Sequence, residues 1–391
     1  MDILFSSVLC SYNTLELLKN NTGKDVSGQT MQKFFRLIAM GLSEQANVTC
    51  ITALPVVGTK KTVLNFSGDK EKRLSFIYPC IIDFPILRQI SIFFGTLFYG
   101  LRWLRKTKRQ ERFVFCDVLN ITLCSALLFL RIWGVHVMGI MTDMPALMVC
   151  RNSSLRHKLF NSVNMFLLTK MDSYVFLTET MNTAINKKHK PYIVMEGIAD
   201  EKMRNRERHR NVNTKEILYA GGLFEQYGVL ALIEAFREVQ GDDLKLILYG
   251  SGPMISDMTK YIALDPRLEY RGLKPNCEIV EAELTATLLV NPRPTSEEFV
   301  KYSFPSKNME YMASGTPLLT TNLPGMPKEY HKYVYLFDKE DPHSMSKVLN
   351  KILNEIPLEE LDNFGEKAKQ FVMENKNNIY QAKRIVDMFI L

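Results

Sequence analysis

The sequence predicts an α/β fold made of two doubly wound domains of similar size. Three observations predict it. Short β-branched runs alternate with helical periodicity along the chain, which is the pattern of parallel sheets covered by helices. The 391 residues exceed what one comfortable core holds, so two domains are expected. A polar stretch, Asp200 to Thr214, interrupts the alternation near the middle and reads as an interdomain linker. The expected division is therefore a first domain over 1–199, a linker over 200–214 and a second domain from 215 onward.

The opening MDILFSSVLC has Asp2 where a targeting peptide would be basic, so it reads as the first strand, Ile3 to Val8. Further strands are expected at Val48–Ala53, Leu74–Tyr78, Phe113–Phe115, Val135–Met141, Tyr174–Leu177 and Tyr192–Met195. Helical patterns fill the gaps, as at Met31–Leu42 and Leu155–Thr169. The longest apolar run, Ile121 to Met141, holds Arg131 at its middle and Gly134 just after, so it reads as a helix followed by a strand.

Composition narrows the function classes. With 46% hydrophobic and 23% charged residues the chain is an ordinary globular protein and not a disordered or fibrous one. The seven cysteines (Cys10, Cys50, Cys80, Cys116, Cys124, Cys150, Cys277) include no C-x-x-C pair and read as reduced cytosolic thiols. The scattered histidines show no metal-ligand spacing. Residues 1–200 hold 24 Lys and Arg against 14 Asp and Glu, whereas 201–391 hold 25 against 28. A basic first half beside a near-neutral second half implies different partners for the two.

After the polar stretch, strands are expected at Glu216–Tyr219, Leu244–Tyr249, Leu268–Arg271, Thr287–Val290 and Pro317–Thr320. Helices are expected at Val229–Val239, Lys307–Met312, His343–Leu353, Glu359–Val372 and Ile379–Ile390. In KYSFPSKNMEYMASGTPLLTT, Pro305 and Ser306 open a short helix, and Gly315 with Pro317 closes it. The free N–H groups of that helix start suit a phosphate, and Lys307 adds a full positive charge there. Glu310 falls on the same helix face, where a carboxylate could accept two hydrogen bonds from a ribose diol. The plain alternative is a capped surface helix with a Lys307–Glu310 ion pair. Gly221 and Gly222 in YAGGLFEQYG, Gly250 and Gly252 in LYGSGP, and RGLKPN from Arg271 all follow strands. Together these loops suit one ligand crevice at the carboxyl ends of a sheet.

These motifs give the second half a resemblance to the nucleotide-sugar-binding domain of family 4 glycosyltransferases of the GT-B type, in which two Rossmann-like domains face each other across a cleft. The likeness is carried by YAGGL, LYGSGP, RGL and SFPSKNMEYMASGTPLLTT. The first half resembles the family more loosely, through its opening strand, a loop at Gly28, TDMP at Asp143 and VMEGIAD at Glu196 and Gly197. The resemblance implies a second domain over 215–375 and a helix over 376–391 that returns to the first domain.

It also implies residue roles. Glu310 matches the carboxylate on the nucleotide ribose. Ser306 and Lys307 match the turn gripping the diphosphate, with Gly222 in the loop opposite. Leu273 falls in the loop whose backbone meets the base. Asp143 is placed as an acceptor-side or catalytic polar group, and Gly28 in an acceptor-side loop. Two positions depart from the family: Tyr302 stands where a second Glu commonly touches the donor sugar, and FEQYG lacks the basic residue usual there. Diphosphate neutralisation then rests on Lys307 and on Arg293 of NPRPT. No D-x-D tripeptide occurs, which favours transfer without a metal. No cofactor is expected beyond the nucleotide-sugar as co-substrate, and the resemblance implies retention of anomeric configuration.

The stretch from Asp83 to Arg112 runs apolar and aromatic residues into a basic cluster. Trp103, Arg105, Lys106, Lys108 and Arg109 are expected to meet an anionic membrane surface. The alternative is a long core helix with a solvated basic end. No basic motif interleaved with aromatics appears, so nucleic acid is not an expected partner. The combined expectation is a cytoplasmic enzyme, peripheral on the inner face of the membrane, that adds a sugar to a lipid-linked glycan for a capsular or other surface polysaccharide. Two alternatives stay open: an inactive scaffold subunit of the same fold, and a nucleotide-sugar 2-epimerase.

Overall fold

The computed structural model describes residues 1–22, 30–54, 63–82, 84–145 and 155–390. The chain divides into two compact units, one of Met1–Ile198 with Asn378–Leu391 and one of Ala199–Asn377.

The first unit opens with β1 (Asp2–Ser7), buried from Ile3 onward, followed by α1 (Tyr12–Thr22), α2 (Thr30–Ser43) and β2 (Asn47–Thr52). Next come β3 (Val63–Leu64), β4 (Asp69–Glu71), β5 (Leu74–Ile77), β6 (Ile81–Ile82) and the 22-residue α3 (Pro85–Lys106). β7 (Arg112–Asp117), α4 (Ile121–Phe129), β8 (His136–Met141), α5 (Leu155–Leu168), β9 (Ser173–Phe176), α6 (Glu179–Ile185) and β10 (Tyr192–Val194) complete the alternation. The apolar run from Ile121 does split into helix and strand. Asn120 caps α4 by accepting from the Leu123 amide at 3.2 Å, and Gly134, at φ +71°, turns the chain into β8.

The eight strands lie in the order β10-β9-β8-β7-β1-β2-β5-β4 and pair in parallel except for β4 with β5. β3 and β6 form a separate antiparallel ribbon. Strand order reverses at β1, which has β2 on one side and β7 on the other. A doubly wound sheet opens its crevice at such a switch point, beyond the strand carboxyl ends.

α3 is built two-sidedly. Its inner side buries Ile92, Thr96, Trp103 and Leu104, and it packs along α4. Gly100 permits this, because a Cβ there would sit 2.9 Å from Leu130 Cδ1. Trp103 is only 6% exposed, so it is a core residue and not the lipid-facing one that its place in the sequence suggested. Arg105, Lys106, Lys108 and Arg109 are exposed. Among the described residues no helix is long and apolar enough to cross a membrane.

The second unit contains β11 (Lys215–Ala220), α7 (Val229–Arg237), β12 (Leu244–Tyr249), α8 (Met258–Leu264), β13 (Leu268–Tyr270), α9 (Asn276–Thr285) and β14 (Leu288–Asn291). It continues through α10 (Ser306–Ser314), β15 (Leu318–Thr320), β16 (Tyr335–Leu336), α11 (Pro342–Asn350) and α12 (Leu358–Asn375). The sheet order is β13-β12-β11-β14-β15-β16, parallel throughout. Its strands are mainly apolar, with exceptions such as Lys245 in β12 and Glu269 in β13, because both faces are covered by helices. The last helix, α13 (Asn378–Ile390), belongs to the first unit and packs on α2. The two helices approach so closely that a Cβ on Gly41 would lie 2.0 Å from the Asn378 carbonyl oxygen.

The polar stretch after Asp200 differs from a free linker. It lies inside the second unit, and the chain passes between units at Ile198–Ala199. Its arginines do the docking: Arg208 donates to the Ala286 carbonyl at 2.8 Å and to Thr316 Oγ1 at 3.0 Å, and pairs with Asp362. Arg204 donates to the Met373 carbonyl at 2.6 Å. Attachment through charge-assisted hydrogen bonds leaves no apolar pattern to read.

Candidate functional site

Three glycine loops close the carboxyl edge of the second sheet. After β11, the Gly221 amide donates to the Tyr249 carbonyl at 3.1 Å, and Leu223 donates to Ser251 at 2.9 Å. The Gly250 amide in turn donates to the Gly272 carbonyl at 3.0 Å, tying in the loop after β13. Gly250 sits at φ +128°, and a Cβ there would lie 1.8 Å from the Gly221 carbonyl oxygen, so only glycine fits. Gly222 is held in this frame by the Tyr219 hydroxyl, which donates to its carbonyl at 2.9 Å. Leu273, beside Gly272 at φ +77°, is 74% exposed.

α10 is anchored beside these loops. Tyr311, fully buried, accepts from the Ala220 amide at 2.8 Å at the end of β11. Asn291 at the end of β14 donates to Asn308 at 2.6 Å, and Asn308 donates to Thr320 Oγ1 at 3.5 Å. These buried bonds fix the helix start, where Pro305 precedes an exposed Ser306 and no side chain caps the end. The free N–H groups and the positive dipole end are therefore available to an anion.

Lys307 lies in that first turn. Its ammonium is 2.6 Å from Glu310 Oε2 and 3.9 Å from Oε1 of Glu283 on α9. Burial works against its charge, but the two carboxylates outweigh it and hold its pKa above the ordinary lysine value. Lys307 is thus a fixed cation at physiological pH. Glu283, at 1% exposure, is the member of this group that sequence reasoning missed. A signal existed: Glu283 falls four residues after the buried Ile279, so it occupies the apolar stripe of α9.

A second cation reaches the same edge from the loop after β14. The Arg293 guanidinium lies 4.7 Å from the Tyr227 ring centre and 5.5 Å from that of Phe299. The loops touch where Gly228, at φ +78°, would place a Cβ 2.0 Å from the Pro292 carbonyl oxygen. So Gly222, Leu273, Arg293, Ser306, Lys307 and Glu310 all fall at the carboxyl edge of one sheet or at the α10 N-terminus beside it. Tyr302 is half-buried at the end of the turn before α10.

Asp143 belongs to the first unit, exposed just after β8. Its neighbour on the adjacent strand is Asp117, at the end of β7 and 3% exposed. Asp117 accepts from the Leu119 amide at 3.0 Å and from Ser7 Oγ at 3.5 Å. Burial pushes its carboxyl up to about 7, and the charge of Asp143 adds to the rise. Gly28 lies outside the described residues.

Residues 201–371, nearly all of the second unit, match the family model described as glycosyl transferases group 1. The whole chain has the two-domain fold of GT-B glycosyltransferase structures. Sucrose-phosphate synthase from Thermosynechococcus elongatus aligns over 100% of this chain and 98% of its own, at 14% identity and TM-score 0.70. The trehalose-6-phosphate structure from E. coli bound with UDP-2-fluoro glucose aligns over 100% and 99%, at 10% identity and TM-score 0.67. Anabaena HepE in complex with UDP aligns over 99% of both chains, at 11% identity and TM-score 0.61. No curated protein matches the chain in sequence.

Proposed function

We propose that the chain is a family 4 type glycosyltransferase that moves a sugar from a nucleotide-diphosphate donor to a lipid-linked glycan in capsular or other surface polysaccharide synthesis. The observation that carries the reading is the α10 N-terminus, where free N–H groups, the Lys307 cation and Glu310 meet beside three stitched glycine loops. Two of the fold neighbours hold UDP or a UDP-sugar, so a uridine diphosphate sugar is the first donor to try.

In this reading the departing diphosphate is stabilised by the α10 N–H groups, Lys307 and Arg293, with Gly222 opposite. Preorganised charge of this kind needs no metal. Glu310 accepts from the ribose hydroxyls, and the backbone at Leu273 meets the base. Asp143 acts on the acceptor side, and the configuration at the anomeric carbon is retained. The enzyme works in the cytoplasm, peripheral on the inner face of the membrane, through α3 and its basic end.

Tyr302, standing where the family commonly has a sugar-binding Glu, favours a second reading: a nucleotide-binding scaffold subunit without transferase activity. The test is incubation with radiolabelled nucleotide sugars and a lipid extract. Label passing into the lipid phase, lost in Lys307→Met and Asp143→Asn, supports the transferase. Nucleotide binding without transfer supports the scaffold, and a free 2-epimeric nucleotide sugar identifies an epimerase.

A further inference from the structure

α3 packs on α4 and α4 packs on α5, so the three helices form one layer of the first unit. A ring contact joins their outer sides, with Phe93 of α3 5.8 Å from Phe129 at the end of α4. Among the described residues that outer side exposes large apolar side chains. On α3, Ile86, Ile90, Phe94 and Phe98 recur every four residues and are 75%, 46%, 62% and 59% exposed. The turn after α4 exposes Ile132 at 75% and Trp133 at 46%, and α5 exposes Leu159 at 67% and Phe166 at 58%. In all, thirteen of the twenty-four large apolar residues found exposed belong to these three helices, the residue before α3 and the turn after α4. So many exposed large apolar side chains on packed neighbouring elements mark a surface that meets a partner.

The charge of this layer is one-sided. α3, α4, the Leu130–Trp133 turn and α5 contain no Asp or Glu. Their basic residues with described side chains are Arg88, Arg102, Arg105 and Lys106 on α3, Arg131 in the turn, where it pairs with Asp172 at 2.5 Å, and Lys158 on α5. We propose that this face lies flat on an anionic lipid bilayer, with α3, the turn after α4 and α5 acting together as one docking platform. The inference rests on the membrane-surface reading above and extends it from one helix to three elements.

The charge pattern selects the occupant. A second copy of the same face would bring these bases against one another, and Asp172, just after α5, is already paired with Arg131 at 2.5 Å, so an isologous contact cannot accommodate the charge cheaply. Nucleic acid would satisfy the bases but offers no apolar phase for Ile86, Ile132 and Leu159. A bilayer satisfies both, because acyl chains receive the apolar residues and anionic headgroups receive the bases.

The test is co-sedimentation of the full chain with phosphatidylcholine vesicles, alone or with about one third phosphatidylglycerol. Four proteins are compared: wild type, an α3 double variant (Ile90→Ser, Phe94→Ser), an α5 double variant (Leu159→Ser, Phe166→Ser), and Leu264→Ser on the second unit as control. These positions are exposed, so melting temperatures should stay near that of wild type. Wild type and Leu264→Ser should pellet with the phosphatidylglycerol vesicles and be released by high salt, and each double variant should lose about tenfold in partitioning. An α5 variant that pellets like wild type while the α3 variant does not would overturn the platform and leave the single-helix reading standing. Wild type that pellets with no vesicle but is still stabilised by UDP would overturn both membrane readings and leave the donor site intact. A wild-type dimer dissolved by the α5 variant, without vesicle binding, would show self-association and also overturn the proposal.

Discussion

The guanidinium of Arg293 lies over the ring of Tyr227, 4.7 Å from its centre, with Phe299 5.5 Å away. The loop after β11 carries no base, since FEQYG has Glu225 and Gln226 before Tyr227. The charge is supplied from the loop after β14 instead, and the tyrosine holds it. A cation over an aromatic face is worth about 1–2 kcal/mol when partly desolvated. Tyr227→Leu should therefore weaken UDP binding about three- to tenfold by freeing Arg293. Arg293→Ala should weaken it further, and titration calorimetry on both variants checks the order.

Lys307 is held between Glu310 and the buried Glu283. Removing a cation from beside buried carboxylates costs about 3–5 kcal/mol, much of it the cost of the charge left behind. Lys307→Met should lower the melting temperature markedly, and adding Glu283→Gln should recover a large part of the loss. Additive losses in the double variant would mean that the two residues are not coupled.

Two glycines at left-handed φ separate steric from conformational cost. Gly272 sits at φ +77° with nothing within 4 Å of a built Cβ, so Gly272→Ala should cost about 1–2 kcal/mol. Gly250, at φ +128°, would thrust its Cβ to 1.8 Å from a carbonyl oxygen, so Gly250→Ala should cost at least about 3 kcal/mol. Chemical denaturation of the two variants gives the comparison directly.

The Asp117 carboxyl, raised to about 7 in the fold, is a carboxylate of ordinary pKa in the unfolded chain. The folded state therefore binds the extra proton between those values, and the group's contribution to stability falls as pH rises from about 4 towards 7, at about 1.4 kcal/mol per unit. Asp117→Asn keeps the acceptor for the Leu119 amide and has no such dependence. Its melting temperature should exceed that of wild type at pH 8 and match it more nearly at pH 4.5. Parallel curves for the two proteins across that range would refute the buried, proton-holding role.

The alternation of strands and helices was legible because parallel strands buried on both faces are mainly apolar, as in β12, where LILY follows Lys245. β3, β4, β6 and β16, two or three residues each, leave too short a period to read. The loop glycines and the start of α10 were legible because turn chemistry is local. The place of Glu283 on the apolar stripe of α9 was legible, but its role was not, since that comes from Lys307 on a neighbouring helix. Trp103 was misplaced for a related reason: an aromatic beside a basic cluster looks interfacial, but its rotation about α3 turns it into the core. The docking of Arg204 and Arg208 was hidden because ion pairing leaves no hydrophobic period.

The most direct measurement is a titration of UDP, GDP, dTDP and CMP into the wild type and Glu310→Ala, followed by calorimetry and by the shift in melting temperature. A ribose-binding Glu310 beside a diphosphate-binding α10 predicts selective, saturable binding of one nucleoside diphosphate, weakened at least about tenfold in the variant. Equal binding by both proteins, or binding of none of the four nucleotides by the wild type, would contradict the assignment of the α10 N-terminus as the donor site.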